Sequence, residues 1–158
     1  MEDRYLFKAK TTPKEKGEFN NVWVTGNLIV SNGKYYIHPV NNVVNVKNEI
    51  GRIIVMHEVI PDTICQCTGL RDKNNKLIWE NDICDRKEKY PEIVKSNNGD
   101  WTLDYSYLKG KESGYCYCNL GFYVLERKCV EVIGNIFDNT ELLEKVRSRN
   151  GKTDRSDL

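Results

Sequence analysis

Alanine occurs once in this chain, at Ala9, so the residue most favourable to helix is almost missing and long helices are not expected. No apolar run approaches the ~20 residues that cross a bilayer, so no membrane-spanning helix is expected. An excess of charge is also lacking. The 24 basic and 23 acidic residues leave a net +1, which supplies no general drive toward nucleic acid or an anionic membrane. Histidine is nearly as scarce as alanine. His38 and His57 are the only imidazoles, and neither stands in a Cys-His or Ser-His arrangement of the kind that activates a nucleophile. No phosphate-cradling glycine loop, dinucleotide motif or zinc-protease motif occurs. The opening Met1 to Lys8 has no apolar signal core or cleavage site, so a cytoplasmic protein is expected. In that compartment the six cysteines are expected as reduced thiols rather than a disulfide framework.

What is present favours strands. Nine tyrosines, three tryptophans and many valines and isoleucines are residues that pack well on a pleated surface. Hydrophobic residues at 39% and charged residues at 30% of 158 describe an ordinary globular protein able to bury a sizeable core. Tyr5 to Lys10 reads as a first strand, followed by a polar loop from Thr11 to Asn21 with Pro13 and Gly17. Val22 to Val30 and Tyr35 to His38 flank Asn32-Gly33, and Glu92 to Lys95 and Trp101 to Tyr105 flank Asn98-Gly99. Each Asn-Gly pair predicts a two-residue hairpin turn. Further strands are predicted at Arg52 to Ile60, stopped by Pro61-Asp62, and at Thr63 to Gly69, Leu77 to Trp79, Ile83 to Asp85, Tyr115 to Cys118 and Cys129 to Ile136. A short capped helix is predicted over Asp138 to Val146, with Leu142, Leu143 and Val146 on one side. The predicted core includes Trp23, Ile29, Ile54, Ile64, Leu77, Ile83, Val94, Ile133 and Leu142.

The segment Thr63 to Ile83 is the most distinctive: Thr-Ile-Cys-Gln-Cys-Thr-Gly-Leu-Arg-Asp-Lys-Asn-Asn-Lys-Leu-Ile-Trp-Glu-Asn-Asp-Ile. It resembles the signature of the YopX family of phage and prophage proteins. A second stretch, Glu131-Val-Ile-Gly-Asn-Ile-Phe-Asp-Asn-Thr-Glu-Leu-Leu143, is similar to that family's closing motif, and the opening strand is similar to its start. The departures are local. Cys67 stands where the family usually has an aromatic residue, Asn75 and Asn81 replace turn glycines, and the region 34–51 is elaborated. Asparagine tolerates positive φ better than other non-glycine residues, so both turns can survive.

The resemblance implies a phage or prophage origin and a β-rich fold, with no settled biochemical activity. The expected fold is mainly β: an antiparallel, barrel-like core, SH3-like or YopX-like, with a short C-terminal helix. One domain is expected over 1–146, with a polar tail over 147–158. The motif residues Gly69, Asp72, Asn74 and Asp82 have a structural explanation. Glycine allows a sharp exit from a strand, and Asp and Asn side chains bond their own turns.

Chemistry beyond this is sparse. Cys65-x-Cys67 and Cys116-x-Cys118 each put two sulfurs on one strand face, with Cys84 and Cys129 as further thiols. Structural zinc sites instead favour Cys-x-x-Cys knuckles, so buried thiols acting as small hydrophobes are the reading, with no metal and no cofactor expected. No catalytic residue and no enzyme activity are expected. A binding surface can be drawn from Tyr35, Tyr36 and Lys34, or from Tyr105, Tyr107, Lys109 and Lys111, where rings beside lysines suit nucleic acid. The competing reading is that such rings pack across strands and such lysines blunt sheet edges. The function expected is a non-enzymatic accessory protein of the bacterial host cytoplasm that binds a host or phage macromolecule. The alternatives are a nucleic-acid-binding regulator or an inhibitor of a bacterial defence system. Exposed sheet edges point to a homo-oligomer.

Overall fold

Two Asn-Gly turns anchor the architecture seen in the computed structural model, which describes residues 3–13, 20–40, 55–108 and 117–144. Asn32 and Gly33 adopt φ of 50° and 73°, and Asn98 and Gly99 adopt 50° and 88°. Two successive positive φ values match the right-handed twist of the flanking strands, so both hairpins form as predicted. The chain divides into two compact units, 1–67 and 68–158, where the sequence reading has one domain over 1–146 and a tail over 147–158.

The first unit holds β1 (Phe7–Lys10), β2 (Trp23–Ser31), β3 (Lys34–Pro39), β4 (His57–Glu58) and the start of β5 (Cys65–Arg71). Their order is β4-β3-β2-β1-β5, and the registered pairs are all antiparallel. One face buries Ala9, Ile37 and Val59, with Phe7, Val24, Leu28, Tyr35 and Ile64 packed against them. The single alanine serves here as the small residue opposite Val24. A 3-10 turn at Pro61–Thr63 ends the β4 region. Thr63 Oγ1 locks it, donating to Ile60 O at 2.7 Å and accepting from Lys10 N at 2.9 Å. Of the strand predicted over Arg52 to Ile60, Arg52 to Ile54 lie outside the described residues, and the remainder forms a ladder only at His57–Glu58. Val59 bridges Thr11.

The second unit holds the rest of β5, β6 (Leu77–Trp79), β7 (Asp82–Asp85), β8 (Glu92–Asn97), β9 (Asp100–Asp104), β10 (Tyr117–Asn119) and β11 (Glu131–Asn135). β6 neighbours β5, and the other five run β10-β9-β8-β7-β11, again antiparallel in every registered pair. Ile78, Cys84, Val94, Leu103, Leu120, Val130 and Val132 form the core. Leu120 leads into a single π turn, Phe122–Glu126, closed by Arg127 N donating to Phe122 O at 3.2 Å. A helical turn at 141–144 begins the predicted C-terminal helix. Its continuation and the 147–158 tail lie outside the described residues.

Three expectations need correction. No sheet closes into a barrel among the described residues: in the second sheet β10 and β11 are end strands, each paired on one side only. A three-residue β10 and a bulged β11 offer little ladder for closure. Ile29 is 36% exposed because alternation along β2 turns its neighbour Leu28 inward, opposite Ile37. Ile133 is 39% exposed because it is the extra residue of a bulge between Val132 and Gly134. Ile83 and Val94 are core residues as expected, Trp23, Ile64, Leu77 and Leu142 are half-buried, and Ile54 lies outside the described residues.

Candidate functional site

The family-like segment builds a set of interlocked turns. Gly69 sits inside β5 at φ 77°, a conformation in which any Cβ is strained. The Asp72 carboxylate is 6% exposed and accepts three backbone N–H bonds, each of 2.9 Å. Oδ1 takes those of Asn74 and Lys76, and Oδ2 takes that of Val132, sixty residues away. Burial pushes the Asp72 carboxyl up, but the three donors outweigh it and hold it below its ordinary value. Asn74 adds a side-chain bond to Glu131, which is also paired with Lys73 at 2.5 Å. Asp82, 2% exposed, accepts from Trp79 N at 2.9 Å and so closes the Trp79 to Asp82 turn. Asn75 and Asn81 sit at φ 66° and 64°, the positive values anticipated at these two departures from the family pattern.

These geometries set the expected cost of three substitutions. Gly69→Ala should cost about 1–2 kcal/mol in urea unfolding, the strain of placing an L residue at positive φ. Asn75→Gly should fall within about 0.5 kcal/mol of the parent, since glycine also accepts that φ. Asn81→Gly should cost more than Asn75→Gly, because Asn81 Oδ1 also accepts from Lys95 Nζ at 2.6 Å.

The closing motif is equally structural. Gly134 leaves room for the Asn139 side chain, whose Oδ1 accepts from Asn135 N at 3.1 Å, and a Cβ at Gly134 would stand 2.6 Å from that oxygen. Asn135 Oδ1 in turn accepts from Phe137 N and Asp138 N at 2.9 and 3.0 Å.

A buried ion cluster, which the sequence does not announce, lies in the second unit. Glu92 is 2% exposed and is gripped by Arg86 in a two-pronged pair, Nε to Oε2 at 2.6 Å and Nη2 to Oε1 at 2.9 Å. The guanidinium lies 4.0 Å from the centre of the Tyr123 ring and donates to Cys118 Sγ at 3.5 Å. Its bonds to Glu92 hold the Arg86 charge despite burial. Arg86 is thus engaged internally on several sides, which marks the cluster as a clasp of the second unit. Its only signal in the sequence is an arginine and a glutamate flanking a Pro-containing loop, and that spacing is common on surfaces.

Three of the thiols are core material, and Cys118 and Cys129 are half-buried. Cys65, Cys67 and Cys84 are buried, Cys65 Sγ donates to Thr63 O at 3.4 Å, and burial pushes the Cys84 thiol far up. No disulfide joins them to each other or to Cys118 or Cys129, and no group of three potential metal ligands occurs among the described residues. Cys116 lies outside those residues.

The aromatic candidates separate. Tyr35 packs against the core of the first unit, while Tyr36 lies on the opposite face beside Ile29. Tyr107 donates its hydroxyl to Pro91 O at 2.8 Å, and Tyr105 is half-buried. Lys109 and Lys111 lie outside the described residues.

A different constellation stands out on that opposite face. Lys10 is registered against Trp23 and Lys8 against Thr25, placing all four side chains on the side of the sheet away from Ala9 and Ile37. The ammonium groups of Lys8 and Lys10 lie 5.2 and 5.5 Å from the centre of the Trp23 ring, within cation–π range. The same face continues through Asn27, His38, Ile29 and Tyr36. Thr25, Asn27 and Ile29 are exposed, and Trp23, Tyr36 and His38 are half-buried, so this sheet face meets solvent. Distance along the sequence hides the arrangement, because residues 8 and 23 meet only through strand pairing.

Fold and motifs together define a mainly β protein of two antiparallel sheets whose signature residues are turn anchors. The model of the YopX protein family matches residues 9–144, and the chain belongs to that family. No curated protein matches it. Among the described residues no helix is long and apolar enough to cross a membrane.

Proposed function

We propose that this chain is a non-enzymatic phage or prophage accessory protein that acts in the cytoplasm of its bacterial host by binding a macromolecule through the open face of β1–β3. Family membership supports the phage setting. The observation that carries the binding role is the placement of Lys8 and Lys10 against Trp23 on a solvent-facing sheet surface. Signature residues such as Asp72 and Asp82 are consumed in backbone hydrogen bonds, which leaves them poorly suited to acid–base work.

The test compares capture from a host lysate by the parent chain and by Trp23→Ala and Ile29→Lys variants, with Leu125→Ser as an exposed control in the other unit. The expected result is a macromolecule retained by the parent and the control and lost from both face variants. Identical capture by all four proteins would defeat this reading, as would a substrate turnover abolished by changing Asp82 or His57. The same reading includes a homo-oligomer held through sheet edges, which light scattering would refute by finding only an 18.4 kDa species.

A further inference from the structure

We propose that Asn32 and Asn98 are latent self-modification sites, each held inert by its own turn and converted to aspartate or isoaspartate only when its hairpin opens. The chemistry needs only the neighbouring glycine and water. A glycine nitrogen that has lost its proton to hydroxide attacks the asparagine Cγ and forms a cyclic imide. The side-chain amide leaves as ammonia, its third proton supplied by water. Water then opens the imide at either carbonyl, giving aspartate by one route and isoaspartate by the other. Glycine leaves its nitrogen open to this reaction because it has no side chain to shield it. The chain contains three such pairs, Asn32-Gly33, Asn98-Gly99 and Asn150-Gly151, the last outside the described residues.

Geometry closes the first two. Asn32 and Asn98 both have φ of 50°, and for a residue with a Cβ that is the left-handed well, where ψ is about +30 to +60°. Cβ is offset from the backbone nitrogen by a tetrahedral third of a turn, so at this ψ the following nitrogen stands nearly anti to Cβ. Cγ lies one bond beyond Cβ and is out of reach. Bringing the two atoms together takes almost half a turn of ψ. That rotation swings the Asn-Gly peptide out of the hairpin and undoes the closing pair, Ser31 with Lys34 or Asn97 with Asp100. Solvent reaches both sites. All four turn residues are exposed, and among the described residues no atom stands within 4 Å of the Cβ position at Gly33 or Gly99.

The two turns differ in lateral support. β8 is registered with β7 at Glu92 and Ile93, and β9 with β10 from Thr102 to Asp104. Among the described residues, Ser96 to Trp101 are therefore held in the ladder by their own hairpin pairs. The end of the β2–β3 hairpin is tied to the next strand. Val59 N donates to Tyr35 O at 3.0 Å, and Lys34, directly after the turn, pairs with Glu58 at 3.1 Å. Opening is accordingly easier at Asn98. The two products have unequal consequences. Aspartate keeps the turn, because Asp-Gly suits it as well. Isoaspartate routes the backbone through Cβ and adds an atom to a loop of two residues, so Asn97 no longer meets Asp100 in register.

The test is incubation of the full chain in mildly alkaline buffer, folded and in guanidinium chloride. Aspartate and isoaspartate at each asparagine are followed over time by peptide mass spectrometry. In denaturant all three Asn-Gly pairs should convert at similar rates. In the folded chain Asn32 and Asn98 should convert about tenfold or more slowly than that, as expected when the reactive form is a minor state, with Asn98 the faster of the two. Ser96→Gly weakens the β8–β9 ladder at an exposed position without touching the reacting groups. It should speed Asn98 in the folded chain about two- to fivefold and leave Asn32, and both rates in denaturant, unchanged. A Ser96→Gly protein that leaves Asn98 unchanged, or speeds both sites equally, would overturn gating by the local hairpin. Equal rates in folded and denatured chains would overturn the protection, and no conversion in denaturant would reject the sites themselves. Faster conversion at Asn32 than at Asn98 would refute the ordering by lateral support.

Discussion

Asp72→Ala should destabilise the second unit by about 3–4 kcal/mol at neutral pH, the largest loss expected from any single residue of the family signature. The carboxylate satisfies three backbone N–H groups from two distant stretches, and charge-assisted bonds of this kind contribute about 1.5–3 kcal/mol each before water replaces some of them. Asn74 and Lys76 sit in a turn that water can reach, so part of the cost is recovered there. Val132 is in the buried core, so its amide is left without an acceptor. The pH dependence has its origin in the same contacts. A carboxyl held below its unfolded value stabilises the folded state fully above about pH 4, and that stability is lost as pH falls through the lowered folded value. Urea unfolding of the parent should therefore show a midpoint that drops as pH falls below about 4, and the Asp72→Ala protein should show a shallower drop. Equal slopes for the two proteins would remove Asp72 from the account.

The second large effect is expected at the Arg86–Glu92 clasp. Arg86→Met and Glu92→Leu should each cost about 3–5 kcal/mol, the first because it leaves the buried Glu92 without its cation and the second because Glu88, exposed and 3.5 Å from Arg86, is a poor substitute for the two-pronged pair. Arg86→Met/Glu92→Leu should recover most of that loss, since two apolar side chains of similar volume remove both desolvation costs together. A double-mutant cycle in urea measures the coupling. Additive single losses would mean that the pair contributes nothing jointly. A residual deficit in the double variant is expected from the lost stacking of the guanidinium on Tyr123, about 1 kcal/mol.

The parts of the fold legible in the sequence are those set by local chemistry. Asn32-Gly33 and Asn98-Gly99 specify both hairpins because two positive φ values in succession leave few alternatives. The substitutions at Asn75 and Asn81 are readable for the same reason. Sequence and structure part where one residue of register decides a face. Leu28-Ile29-Val30 is apolar throughout, so composition cannot say which side chain turns inward, and pairing with Ile37 selects Leu28. The regular pattern of its strand places Ile133 in the expected core, and the bulge reverses it. The π turn at Phe122–Glu126 has no simple sequence pattern. At the candidate site, Tyr36 is legible as a surface ring, whereas Trp23 reads as a core residue until its strand is paired. Lys8 and Lys10 carry no signal of their own, because their meaning depends on the partner strand.

The pairing of β11 with β7 has a consequence for synthesis. A ribosome delivers residues in order, yet β7 receives its second neighbour, and Asp72 its third amide, only when Glu131 to Asn135 have emerged. Until then the nascent second unit presents an unpaired β7 edge beside an apolar layer, a state open to wrong pairing with other chains. A product truncated before Glu131 is frozen at that stage, and it should collect in aggregates or be degraded while the complete chain accumulates. The closing motif thus acts as a completion signal, converting an exposed intermediate into a finished sheet.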